Sequence, residues 1–116
     1  MLFKSHLAAK VRAGRKTQSR RISKVRYREG SVQPIQENYK PGKAKDYVKI
    51  NRRYEQKLGD LTEAQAIAEG FDGIEEFKKE WMAITKKPWD PEEVVTVYEF
   101  ELLLPNSKAI NFSANR

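Results

Sequence analysis

Lysine and arginine residues are concentrated in the first half of the 116-residue chain, and tyrosines lie among them. Eight cations fall within seventeen positions: Arg12, Arg15, Lys16, Arg20, Arg21, Lys24, Arg26 and Arg28. A second group comprises Lys40, Lys43, Lys45, Lys49, Arg52 and Arg53, and the interleaved tyrosines are Tyr27, Tyr39, Tyr47 and Tyr54. Because cations contact phosphates and aromatic rings stack on bases, this pattern predicts a nucleic-acid surface. The alternative is that the tyrosines are half-buried strand residues, a common role for Tyr in sheets.

The charge is divided unequally between the two halves of the chain. Residues 1–58 hold 17 Lys and Arg against 4 Asp and Glu, a net charge of +13, whereas residues 59–116 hold 6 against 12, a net charge of −6. One explanation is that the acidic half folds against the basic half and neutralises it. A surplus of +7 remains over the whole chain, so an anionic partner is also expected.

Several classes of protein are excluded by composition. The sequence has no cysteine, which excludes disulfide scaffolds, thiol catalysis and zinc fingers, and its one histidine, His6, cannot form a multi-histidine metal site. No apolar run approaches the roughly 20 residues of a membrane span, and the N-terminus lacks the apolar core of a signal peptide. We therefore expect a cytoplasmic protein that uses no metal or other cofactor and does not enter a membrane, with its oligomeric state left open.

The cationic segments must be positioned by a small set of helices. A helix over residues 6–13 is expected, capped by Ser5 and ended by Gly14. A second begins after Thr62, with Gln65 as its capping-box partner, and stops at Gly70. A third, capped by Asp72, carries residues that should face the core at helical spacing: Ile74, Phe77, Trp81 and Ile84.

The strands are predicted from β-branched residues and alternation. Strands are expected over residues 17–27, 32–36, 46–57 and 94–104, with Val48, Ile50 and Arg52 on one side of the third. The last is apolar on both faces at its start, which is typical of a central, buried strand. The order of elements indicates an α+β domain with a small closed or half-closed sheet over residues 1–104, followed by a polar tail, residues 105–116.

Three segments, taken in order, resemble the ASCH domain, a branch of the PUA-like superfamily. They are residues 14–21, residues 58–77 around the turn and the second helix, and residues 97–101. The G-x-K-T-x-x-x-R signature is met by Gly14, Lys16, Thr17 and Arg21. The resemblance covers about residues 2–102 and implies a small PUA-like β-barrel, with a short N-terminal helix and two helices before the last long strand. It also implies a cleft between barrel and helices, lined by the signature.

The resemblance implies two kinds of activity. PUA-like domains commonly bind RNA, and ASCH domains are proposed to act in RNA-linked processes. Some small bacterial ASCH proteins are amidohydrolases that remove the acetyl group from N4-acetylcytidine. Their catalytic Lys, Thr and Glu correspond by position to Lys16, Ser19 and Glu69. Ser19 replaces the threonine and retains its hydroxyl.

Three functions stay open at this point. In an RNA-binding module, the nucleic acid would be contacted by Arg15, Lys16, Arg20, Arg21, Lys24, Lys49, Arg52, Arg53 and Tyr47. Glu69 would merely pair with a cation such as Lys16. In an amidohydrolase acting on an acylated nucleoside, Lys16 with a lowered pKa would be the base for Ser19, and Glu69 would carry a proton to the leaving group. In an adaptor, the basic face would meet an acidic protein.

Overall fold

The computed structural model describes residues 1–37 and 46–103. The predictions for Tyr39, Lys40, Lys43, Lys45 and the tail, residues 105–116, lie outside the described residues, as does the boundary at residue 104. The helices are α1 (Ser5–Arg12), α2 (Glu63–Ala68) and α3 (Ile74–Thr85). The strands are β1 (Leu2–Phe3), β2 (Gln18–Arg21), β3 (Val32–Pro34), β4 (Gln36–Glu37), β5 (Tyr47–Lys57) and β6 (Val94–Leu103).

Four strands form an antiparallel sheet in the order β2-β6-β5-β3, which curls into a half-barrel. The predicted central strand, β6, lies between β2 and β5, and its buried residues are Val95 to Tyr98 and Phe100. β1 and β4 form a separate parallel pair. The predicted α+β class with a half-closed sheet is confirmed.

The long β5–β6 pairing contains one irregularity, between Ile50 and Arg52. Val48 and Ile50 are buried as expected, whereas Arg52 is exposed. A bulge adds a residue to one strand and changes which side chains share a face. The prediction that Arg52 lies on the side of Val48 and Ile50 was therefore wrong.

Aromatic side chains pack against one another in the core, in one pair between strands and in one group around α3. Phe3 packs edge-on against Phe100 of β6, with ring centroids 6.1 Å apart. On α3, Phe77 stacks on Trp81 at 5.9 Å, and Phe71 meets Phe77 edge-on at 5.7 Å. Phe77 and Trp81 are buried as their spacing predicts, whereas Ile84 is 41% exposed.

The strand predicted over residues 17–27 is shorter in the structure. Only Gln18 to Arg21 pair with β6, and the chain then leaves the sheet edge. Beyond that point it is tied back by side chains: the backbone N–H of Tyr27 donates to the Tyr98 hydroxyl at 3.2 Å, and Arg53 Nη1 donates to the Tyr27 carbonyl at 3.1 Å. β-branched residues predict extended backbone, but whether a strand neighbour is present is decided by the fold.

The start of α2 follows the sequence signal. Gln65 N–H donates to the Thr62 hydroxyl at 3.1 Å, and Thr62 N–H donates to Gln65 Oε1 at 2.9 Å, which completes the capping box. Gly14, at φ +77°, ends α1 as expected. Ser5 is the first residue of α1, so the predicted Ser5 cap was wrong; Lys4 is the N-cap and its side chain makes no capping bond.

The start of α3 differs from the prediction. Asp72 does not cap it; Gly73 is the N-cap. Glu63, from the first turn of α2, accepts from the backbone N–H of Ile74 at 2.6 Å. Glu76 Oε1 accepts from Asp72 N–H at 2.9 Å. A side chain from a neighbouring helix thus supplies the acceptor that a local cap would have provided.

Candidate functional site

A pocket of about 240 Å³ lies between β2 and the helices α1 and α3. Its walls are mainly apolar and consist of Leu2, Phe3, Leu7, Phe71, Phe77, Trp81 and Ile84. The polar residues that line it are Lys4, Lys16, Ser19, Arg20, Arg21, Glu69 and Glu80. The pocket is slightly smaller than the roughly 300 Å³ at which pockets for drug-sized ligands begin, so its volume suits a ligand the size of a nucleobase or small nucleoside.

The backbone that leads into β2 is anchored to two helices. Gly14 turns the chain off α1, and the N–H groups of Arg15 and Lys16 then donate to the Lys10 carbonyl at 2.9 and 3.1 Å. Thr17 N–H donates to the Ala68 carbonyl at the end of α2, at 2.7 Å. These bonds set the position of Lys16 relative to the residue that follows α2, Glu69.

Gly70 allows the backbone of the two segments to approach closely. Its φ is +99°, and a Cβ built there would lie 3.0 Å from Lys10 Cδ and 3.3 Å from Lys16 Cβ. Lys10 Nζ also donates to the Gly70 carbonyl at 2.7 Å. The left-handed backbone favours glycine here, and a Cβ would be crowded by the side chains of Lys10 and Lys16.

Lys16 and Glu69 form a buried ion pair, the contact expected from the sequence. Lys16 Nζ donates to Glu69 Oε1 at 2.8 Å, to the Glu69 carbonyl at 3.0 Å and to the Gln18 carbonyl at 2.9 Å. The side chains are 3% and 4% exposed. Burial lowers the pKa of Lys16, Arg21 and Arg20 lower it further, and Glu69 opposes the shift. Three oxygen atoms thus accept from the Lys16 ammonium group. Burial brings the neutral amine of Lys16 closer in free energy to this charged form.

Arg20 holds the other carboxylate oxygen of Glu69. Its Nη1 donates to Glu69 Oε2 and to Gln18 Oε1, each at 2.9 Å, and its Nε donates to Gln56 Oε1 at 3.0 Å. The Arg20 side chain is fully buried. Glu69 thus joins two cations, Lys16 just before β2 and Arg20 within it.

Ser19 lies beside a third cation. Arg21 Nε donates to the Ser19 hydroxyl oxygen at 2.9 Å, and the guanidinium lies 4.9 Å from the Phe3 ring centroid. Burial lowers the pKa of Arg21. Within residues 1–37 and 46–103, no carboxylate forms an ion pair with Arg21 and no hydrogen bond joins Ser19 to Lys16. Glu69 therefore pairs with Lys16 and Arg20 but not with Arg21.

The residues predicted to contact nucleic acid are divided by the fold. Lys16, Arg20 and Arg21 line the pocket, whereas Arg15, Lys24, Lys49, Arg52 and Arg53 are exposed and Tyr47 is half-buried. Arg15 lies 3.9 Å from Asp72, and Arg52 lies over the Tyr54 ring and 3.5 Å from Glu99. Their role in binding stays a prediction.

Some parts of the site had no clear signal in the sequence. The aromatic walls Phe3 and Phe71, and the side chains of Gln18 and Gln56 that hold Arg20, were not predicted. Phe71 directly follows Gly70, and in the sequence it resembles an ordinary core residue. In the described part of the chain, no three His, Asp or Glu side chains lie close enough to hold a metal ion.

The fold was compared with known proteins. No family model matches the sequence, and no curated protein matches it. Among solved structures, an ASCH domain from Lactobacillus crispatus JV V101 is 12% identical, with a TM-score of 0.70 over 84% of this chain and 70% of that one. The chain has an ASCH-like fold.

A second structure shares this ASCH-like fold. It is a protein from Enterococcus faecalis V583 described by the family model DUF984, 18% identical, with a TM-score of 0.63 over 84% of this chain and 67% of that one. At these identities the likeness concerns the fold.

In the part of the chain that the structure describes, no helix is long and apolar enough to cross a membrane.

Proposed function

We propose that the pocket hydrolyses the N-acyl amide of a small nucleoside-like substrate such as N4-acetylcytidine. The observation that supports this is the convergence of Lys16, Ser19 and Glu69, which come from two distant segments, on one pocket of about 240 Å³. The substrate class comes from the resemblance of the motif residues to those of ASCH amidohydrolases. A buried lysine, a hydroxyl and a carboxylate can supply the base, the nucleophile and the acid that acyl transfer through a covalent intermediate needs.

The ion pair supplies both base and acid by one internal proton transfer. Moving a proton from Lys16 Nζ to Glu69 Oε1, over 2.8 Å, produces a neutral amine and a carboxylic acid without changing the net charge. Burial lowers the pKa of Lys16, which brings its neutral amine closer in free energy to the charged form. Arg20 opposes the transfer because it stabilises the carboxylate through Oε2.

The first chemical step forms an acyl-serine. Ser19 Oγ attacks the acyl carbon and its proton passes to the neutral Lys16 amine, while the carbonyl oxygen becomes an oxyanion. This step requires Lys16 and Ser19 to come within hydrogen-bond distance when the substrate binds. Arg21, whose Nε lies 2.9 Å from Oγ, is placed to stabilise that negative charge. The carbonyl then re-forms, the C–N bond breaks, and the leaving nitrogen takes the proton from Glu69. The ion pair is restored.

The second step releases the acid. The same transfer again makes Lys16 a base, which takes a proton from the attacking water. When the new tetrahedral intermediate collapses, Ser19 Oγ leaves and takes its proton from Glu69. The products are the free amine and the carboxylic acid.

The test is incubation with N4-acetylcytidine, with cytidine and acetate measured separately. Ser19→Ala is expected to lower kcat by at least about a thousandfold, as loss of a nucleophile does, and Ser19→Thr is expected to retain turnover because the hydroxyl remains. Ser23→Ala, in the exposed loop after β2, is the matched control. Turnover that survives Ser19→Ala, or a folded wild-type protein without turnover, contradicts the proposal.

A second candidate function, RNA binding, is favoured by the loop between β2 and β3. Lys24, Arg26 and Arg28 are exposed there, and the loop is held against β5 by the bond from Arg53 Nη1 to the Tyr27 carbonyl. These cations are separate from the pocket. An RNA strand would be bound through its phosphates, and affinity would fall with salt by a slope of about −0.7 per phosphate neutralised.

Titration of single-stranded RNA at two salt concentrations tests this candidate. Lys24→Ala/Arg28→Ala is expected to weaken binding and to reduce the slope by about 1.4, without affecting hydrolysis. Lys57→Ala/Lys79→Ala removes the same charge elsewhere and is the control. Equal loss in the two double variants, or no binding at low salt, would count against RNA as the partner.

A further inference from the structure

Arg21 lines the pocket, and its charge is not paired within the described residues. Both carboxylate oxygens of Glu69 are taken by other cations. The other carboxylate that lines the pocket, on Glu80, lies 3.4 Å from His6 Nε2. Because Arg21 is half-buried, its guanidinium has lost part of its hydration without gaining a counter-charge. The pocket therefore offers an anion a cation that no side chain neutralises.

The guanidinium of Arg21 is oriented by two residues that also line the pocket. Its Nε donates to the Ser19 hydroxyl oxygen at 2.9 Å, and its central carbon lies 4.9 Å from the centroid of the Phe3 ring. Within residues 1–37 and 46–103, no hydrogen bond uses its terminal nitrogens, Nη1 and Nη2. Neither nitrogen is sealed from solvent, in contrast to Arg20 Nη2. Arg21 thus presents two oriented donors that a ligand can reach.

The walls of the pocket are mainly apolar. Phe3 and Phe71 are buried, whereas Leu2 and Ile84 are exposed, so the apolar lining extends from the core to the surface. A small, strongly hydrated anion such as phosphate gains little from these walls. The apolar body of an organic anion is removed from water by them, which favours its binding. A planar carboxylate also matches the two terminal nitrogens of a guanidinium.

We propose that the pocket binds a small organic monocarboxylate, whose oxygens accept from Nη1 and Nη2 of Arg21 and whose apolar body lies against the apolar walls. This binding requires no hydrolysis. The same ligand is also a competitive inhibitor of the amide hydrolysis, and this second part rests on the proposed function. The physical reason is that Arg21 Nε holds the Ser19 hydroxyl, so the bound carboxylate lies beside the nucleophile.

Titration of the wild-type chain with four small ligands tests the charge and the apolar body separately. Benzoate and benzamide have nearly the same shape and differ in charge, so benzoate should bind at least about fivefold more tightly. Acetate and inorganic phosphate lack the ring, and each should bind at least about tenfold more weakly than benzoate. Equal affinity for benzoate and benzamide, or phosphate that binds as tightly as benzoate, would overturn the proposal.

Variants locate the bound carboxylate. Arg21→Gln removes the charge, so benzoate and benzamide should then bind with affinities within about twofold of each other. Lys79→Gln removes an exposed cation that does not line the pocket and should retain the preference for benzoate. Thermal unfolding shows whether each variant is folded. A preference for benzoate that survives in folded Arg21→Gln contradicts the assignment to Arg21.

Arg21→Lys is a second variant, which retains the charge and loses the paired donors. The preference for benzoate over benzamide should fall by at least about twofold, because an ammonium group does not match both carboxylate oxygens. An unchanged preference would contradict the use of both terminal nitrogens.

Inhibition separates this proposal from the hydrolase. Benzoate should raise KM for N4-acetylcytidine and leave kcat unchanged, whereas benzamide at the same concentration should have a smaller effect. Turnover that benzoate does not slow would refute the competitive inhibition and leave the hydrolase intact. Benzoate binding that depends on Arg21, in a protein without turnover, would support the carboxylate site and refute the hydrolase.

Discussion

Replacing Glu69 by glutamine tests the electrostatic centre of the pocket. The carboxylate is 4% exposed and contacts Lys16 at 2.8 Å and Arg20 at 2.9 Å, so its loss leaves two buried cations without a counter-charge. Breaking a buried pair in this way costs about 3–5 kcal/mol. With an unfolding entropy of about 2.1 cal/mol/K per residue, the expected fall in Tm is about 12–20 °C.

The assay is urea and thermal denaturation of Glu69→Gln beside two matched variants. Lys16→Met removes one cation but leaves Glu69 paired with Arg20. Its loss of unfolding free energy should therefore be at least about 1 kcal/mol smaller than that of Glu69→Gln. Glu92→Gln removes a carboxylate that is 74% exposed and pairs with Lys57, and it should change stability by less than about 1 kcal/mol. A destabilisation by Glu69→Gln that is as small as that by Glu92→Gln, or smaller than that by Lys16→Met, would contradict the assigned role of Glu69.

Three further predictions concern the same region. Because burial lowers the pKa of Lys16 below 10.5, the unfolded chain binds that proton more tightly than the folded chain does. The free energy of unfolding should therefore rise with pH up to about 10.5. Urea titrations at several pH values should show this rise in the wild type and not in Lys16→Met. Gly70→Ala should lower the free energy of unfolding by at least about 1 kcal/mol more than Gly14→Ala, measured by the same method. Both glycines have a positive φ, but only Gly70 lies close to Lys10 and Lys16 atoms. Equal losses in the two variants would contradict this close approach. Thr62→Ala should lose about 1 kcal/mol through the capping box, and an unchanged urea midpoint would show that the cap does not contribute.

Much of the local structure could be predicted because its partners lie within a few residues. The capping box joins Thr62 and Gln65, three positions apart, and Gly14 ends α1 through its own positive φ. The apolar run that begins β6 predicts a strand covered on both faces. The half-barrel class followed from the order of such elements and from the resemblance of the motifs.

Only the reacting groups of the candidate site could be predicted from the sequence. Lys16, Ser19 and Glu69 were selected by motif position, and they do line one pocket. The burial of Arg20 could not be predicted, because a sequence of alternating cations and polar residues is equally compatible with an exposed edge strand.

The sequence by itself determined where backbone direction changes and which segments are amphipathic, since these depend on φ preferences and on periodicity. Tertiary structure decided which charged side chains are buried away from water. Lys16 and Glu69 are 53 positions apart, and they are paired because the ends of α1 and α2 are joined by the bonds around Gly70. The cost of burying a charge depends on the neighbours that the fold supplies, so the same basic segment contributes a buried site at Lys16 and an exposed surface at Lys24.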